Sequence, residues 1–91
     1  MELKYTRSFL TRLEDIFAES DFILRYEKGS FKAGYCLIKD KKVVVVNKYF
    51  PLEGRINCLY EILSSIELDT SGLAERSQQL YQEICNQEKS R

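Results

Sequence analysis

Four consecutive valines, Val43 to Val46, constrain the fold of this chain more than any other feature. β-Branched side chains are stiff about χ1 and fit a pleated surface better than a helix, so the run belongs to a strand. Successive strand residues point to opposite faces, and four valines in a row therefore put apolar surface on both. "KVVVVNKY" is expected to be a strand with both faces covered, or a central strand next to a helix. Before it, "FILRYE" and "FKAGYCLI" are also rich in β-branched and aromatic residues, and "KGS" separates them, where Gly29 suits a tight hairpin. A second turn is expected at Asp40 and Lys41. The three segments predict a three-stranded antiparallel meander. In its middle strand Phe31, Ala33, Tyr35 and Leu37 share one side, and Gly34, Cys36 and Ile38 the other. Both sides are apolar, and a face that helices leave uncovered invites a partner.

The flanking segments carry a helical period. In "LKYTRSFLTRLEDIFAES", Leu3, Phe9, Leu10, Leu13, Ile16 and Phe17 gather on one side of a 3.6-residue helix that ends near Ser20 and Asp21. Pro51 and Glu53 suit the first turn of a second helix, whose apolar stripe runs through Leu52, Ile56, Leu59, Tyr60, Leu63 and Ile66. Asp69, Thr70 and Ser71 are N-cap candidates for a last helix buried through Leu73, Leu80, Tyr81, Ile84 and Cys85. The expected class is α+β: an N-terminal helix, a three-stranded antiparallel meander and two C-terminal helices (αβββαα). Its 91 residues suit a single domain, 1–91, with 86–91 expected to fray. Glu2, Lys4 and Arg7 interrupt any apolar leader and no run approaches a membrane span, so a cytoplasmic protein without membrane contact is expected.

Composition excludes most chemistry. There is no histidine, which removes the commonest general base, the usual zinc ligand and the partner of most serine and cysteine nucleophiles. The three cysteines, Cys36, Cys58 and Cys85, are far apart and form no C-x-x-C pair, so they read as small buried hydrophobes. Gly34 and Gly54 are isolated and form no phosphate-cradling loop; they relieve crowding where strand meets helix. No cofactor and no metal are expected. Net charge is zero, yet residues 25 to 55 hold eight basic side chains against three acidic ones. Lysines beside strands protect sheet edges and keep a chain soluble. The alternative is a nucleic-acid face on this basic sheet segment, built from Arg25, Tyr26, Lys32, Tyr35 and Lys48. Zero net charge and an acidic last helix oppose that reading.

"RINCLYEILSS", residues 55 to 65, has the cadence of a zinc-binding helix, H-E-x-x-H, with Tyr60 and Ser64 at the ligand positions and Glu61 at that of the general base. With the hairpin, the strand ending at Asn47, the proline loop and Arg55, the stretch "GYCLIKDKKVVVVNKYFPLEGRINCLYEILSS" resembles the core of the ImmA/IrrE-like zinc metallopeptidases over about a third of the chain. "YEKG", "GYC" and "VVNK" before "LEGRIN" also resemble small bacterial proteins, a likeness that implies no activity. The peptidase resemblance implies the fold without the metal, since two histidines at i and i+4 hold the zinc that Glu61 would need. A phenol and a hydroxyl do not replace them. The expectation is a non-catalytic interaction module, binding an unknown protein partner or a second copy of itself. Its expected surface is the cleft between the third strand and this helix, where an open strand edge takes an extended peptide. Tyr49, Arg55, Asn57, Tyr60 and Glu61 are the residues expected there.

Overall fold

A computed structural model describes residues 3–29 and 34–89 of the chain. The elements follow in the expected order: α1 (Arg7–Glu19), β1 (Ile23–Glu27), β2 (Tyr35–Ile38), β3 (Val43–Asn47), α2 (Leu52–Ser65) and α3 (Glu75–Lys89). Lys32 and the first part of the expected "FKAGYCLI" strand lie outside the described residues. No helix among the described residues is long and apolar enough to cross a membrane.

The protein is α+β, but its sheet is mixed and is not a meander. The strand order is β1-β3-β2, with β1 parallel to β3 and β2 antiparallel to it. The expected β1–β2 hairpin across "KGS" does not form, because β3 lies between the two. A central strand has both main-chain edges bonded and suits the most β-prone, least charged segment, which is the valine run. β1, with Arg25 and Glu27, and β2, with four residues, take the edges.

Lys42 joins the two pairings. Its backbone has a φ of 54°, in the left-handed region. Its N–H donates to the Lys39 carbonyl at 3.1 Å, closing the β2–β3 turn, and its own carbonyl accepts from the Ile23 N–H at 2.8 Å, starting the parallel pair. Its ammonium donates to the Asp21 carboxylate, just before β1.

The register sets Leu24 and Tyr26 of β1, Val44 and Val46 of β3, and Tyr35 and Leu37 of β2 on one face. Val44 and Val46 are fully buried there, beneath Leu13, Ile16 and Phe17 of α1, Ile56, Leu59, Ile62 and Leu63 of α2, and Leu80 and Ile84 of α3. Val43 and Val45 point the other way and are only half-buried. The valine run thus has one covered face, not two. Gly34, just before β2, has a φ of 84°. A Cβ there would lie 2.3 Å from a carbon of the Phe50 ring and 3.3 Å from the Cys58 Sγ.

The junction before α3 also departs from expectation. Asp69 accepts from the Ser71 N–H at 3.0 Å and caps a 3-10 turn, Thr70–Gly72, rather than the last helix. At the start of α3 stands Ala74, which has no capping side chain. The Glu19 carboxylate, at the end of α1, accepts from the Ala74 N–H at 2.9 Å instead. That bond, with a second from Ser77, holds the Glu19 carboxyl below its ordinary pKa.

Two outcomes follow. Gly34→Ala should lower stability by about 1–3 kcal/mol in urea denaturation, through the positive φ and the Phe50 ring together. Because the folded pKa of Glu19 is lowered, its contribution is present above the ordinary glutamate value and disappears as pH falls through the folded value. Glu19→Gln should therefore melt a few degrees below the parent at neutral pH, with the gap closing in acid, as read by circular dichroism.

Candidate functional site

α2 begins at a loop that Arg55 holds closed. Its Nε–H donates to the Phe50 carbonyl at 3.1 Å and a terminal N–H to the Lys48 carbonyl at 2.6 Å. The guanidinium carbon sits 4.7 Å from the centroid of the Tyr26 ring. The Tyr26 hydroxyl in turn donates to the Glu14 carboxylate at 2.5 Å. Burial first, and that carboxylate second, push the Tyr26 phenol well above its ordinary pKa. Glu14, Tyr26 and Arg55 therefore tie α1, β1 and α2 together, and donors of Arg55 are spent on its own loop. Asn47 secures the same end of β3. Its side-chain N–H donates to the Gly29 carbonyl at 3.2 Å and its oxygen accepts from the Tyr49 N–H at 3.0 Å.

The other residues expected along α2 form a solvent-facing seam. Asn57 and Glu61 are exposed, one turn apart. The Asn57 side-chain oxygen accepts from the Tyr5 hydroxyl at 2.9 Å, and the Glu61 carboxylate from the Tyr35 hydroxyl at 3.2 Å. Tyr60 is half-buried against the core, and the Ser64 hydroxyl donates to the Glu61 carbonyl at 2.9 Å. Tyr49 is 67% exposed, with the Lys48 ammonium 5.3 Å from its ring centroid. Of four surface depressions among the described residues, one is lined by Arg55 with Arg7, Leu10, Phe50 and Leu52, and another, of about 370 Å³, by Phe22, Lys39, Lys42, Ser65, Ile66 and Glu67; Asn57, Tyr60 and Glu61 line none of the four. Nor has β3 an open edge to accept a strand, because both its edges are paired. Of the residues expected in a cleft beside α2, Asn57 and Glu61 are thus bonded to Tyr5 and Tyr35, while Arg55 faces a depression at the start of the helix.

No group of three or more His, Cys, Asp and Glu side chains among the described residues is placed to hold a metal ion. Burial, then the Glu61 charge, pushes the Cys58 thiol above its ordinary pKa, away from the reactive thiolate. The residues of the alternative nucleic-acid face do not share a face. Arg25 lies on the outer side of the sheet, Tyr26 and Tyr35 on the inner side, and Lys48 beyond the end of β3. Lys32 is outside the described residues.

The surface left over is the outer face of the sheet. Ile23, Val43 and Ile38 are register partners and make an aliphatic row across all three strands. Ile23 is 56% exposed and Ile38 36%. Beside them lie Val45 and Cys36, both half-buried, and then the Arg25–Glu27 ion pair at 2.8 Å. No described element covers this face. The sequence reading allowed for an uncovered apolar face but not for which one, although a signal was present: in "FILRYE" the alternation puts Ile23 on the same side as Arg25 and Glu27, which cannot be the core side.

Arg55→Ala should cost about 1–3 kcal/mol in urea denaturation, since it frees two carbonyls and unstacks Tyr26. Arg55→Lys should recover less than half of that, because one ammonium cannot make the forked contact. Comparison with family models, curated proteins and solved structures finds no match to this chain.

Proposed function

We propose that this protein is a non-catalytic interaction module that docks a protein partner on the outer face of its sheet. The observation that carries the reading is the row Ile23, Val43 and Ile38: aliphatic side chains exposed on both edges, and half-buried at the centre, of one sheet. Single exposed hydrophobes are ordinary on protein surfaces, but a continuous strip across three strands is the pattern of a contact surface. The helices are all committed to the opposite face, so the strip has no role in the core.

Other features support the same reading. Polar side chains along α2 bond to neighbouring tyrosines rather than converge on a substrate-sized space. The strand, the loop, Arg55 and the α2 helix, which resemble a zinc-peptidase core, carry Tyr60 and Ser64 where that chemistry needs histidines. We read the chain as a metal-free relative of that core, without hydrolase activity. Three cysteines that form no disulfide with one another, Cys36, Cys58 and Cys85, fit a reducing, cytoplasmic setting.

The test immobilises the intact chain and its Ile38→Asp variant and exposes both to extract of the native host. Ile38 is at the surface, so the variant should melt within a degree or two of the parent. At least one protein should be retained by the parent and reduced about ten-fold or more by the variant. An identical set of retained proteins on both would overturn the docking function.

A further inference from the structure

The chemistry of the partner can be read from the charges around the apolar row. Inference here rests on the outer sheet face being the docking surface. Around that face the described basic residues Arg25, Lys28, Lys39, Lys41, Lys42 and Lys48 are exposed, against Glu27 and Asp40. Among the described residues Arg25 is neutralised by Glu27 and Lys42 by Asp21. Lys41, in the turn that adjoins Ile38 and Val43, has no carboxylate within salt-bridge distance among the described residues, and neither do Lys28 and Lys48 beyond the other end of the strands; Lys39 lines the depression beside Ser65, Ile66 and Glu67 on the helix side. An apolar face with unpaired cations beyond both ends of its strands complements apolar side chains flanked by carboxylates.

Size narrows the occupant further. Three strands about 4.8 Å apart and four to five residues long present a flat area on the order of 200 Å². A stable interface between folded domains buries about 800 Å² on each partner. The face therefore suits a short segment rather than a domain. A second copy is disfavoured twice, by area and because two cationic borders would meet face to face. A nucleic acid is disfavoured because the described residues of the outer face offer bases no ring to stack on, Tyr26 and Tyr35 pointing inward. We propose that the sheet's outer face binds a short acidic peptide segment of another protein, with aliphatic side chains on the Ile23–Val43–Ile38 row and a carboxylate on Lys41.

The probes are two synthetic fluorescein-labelled peptides with the same Ile-Val-Ile centre, flanked by glutamates in one and by lysines in the other. Fluorescence anisotropy with the intact chain should show saturable binding of the acidic peptide, about ten-fold or more tighter than the basic one, and weakening as salt is raised. Lys41→Glu should abolish that preference, and Ile38→Asp should remove binding to both; circular dichroism confirms that the variants fold. No binding of the acidic peptide, or equal binding of the two, would overturn the proposal. So would tighter binding of a single-stranded oligonucleotide or of phosphatidylserine vesicles, or a sedimentation series showing self-association that Ile38→Asp abolishes. The docking function itself fails separately, when the host-extract captures of parent and Ile38→Asp are the same. An Ile38-dependent partner whose bound segment is basic would leave docking in place and remove the acidic segment.

Discussion

Everything in this structure hangs on β3 being bonded along both edges while only one of its faces is packed. The main chain of the valine run is satisfied by β1 on one side and β2 on the other, which fixes it at the centre. Val44 and Val46 then seat the three helices, and the sheet becomes a floor for a single helical layer. The same alternation that buries those two valines must turn Val43 and Val45 outward. An unpacked apolar face is thus the geometric counterpart of the core.

The helical layer is held to that floor by polar fastenings at its margins. Glu14 reaches Tyr26, Arg55 stacks on the same ring, Glu61 accepts from Tyr35, and Glu19 caps α3 from the end of α1. Each bond joins two different elements, and each charged group sits at the rim, where a carboxylate or guanidinium keeps part of its hydration. Arg55 and Glu61 are thus engaged in holding elements together.

The parts of the fold visible in the sequence are those governed by local periodicity. The stripe of α1, the start of α2 after Pro51, the existence of three strands and the crowding at Gly34 all follow from spacing or backbone chemistry within a few residues. Strand order does not. "KGS" is a good local cue for a hairpin, yet pairing is decided by which segment gains most at the centre, a comparison over the whole chain. Likewise the seam of Asn57 and Glu61 is legible as a helix face, but Tyr5 and Tyr35 stand 52 and 26 residues away from them, and no spacing rule joins those pairs. The valine run could not say which face is covered. The charged side of β1 could, once its parallel register with β3 is known.

The buried phenols have one more consequence, on the alkaline side. Tyr26, Tyr35 and Tyr81 each hold their protons beyond the ordinary tyrosine range, burial being the first cause in all three. Each also donates that proton: to Glu14, to Glu61, and, for Tyr81, to the Ile66 carbonyl at 2.8 Å. Their contribution is complete below the ordinary value of about 10 and ebbs as the unfolded chain ionises above it. With no histidine to charge between about pH 5 and 8, the raised groups act only on the alkaline side, the Cys58 thiol first and these tyrosines after it.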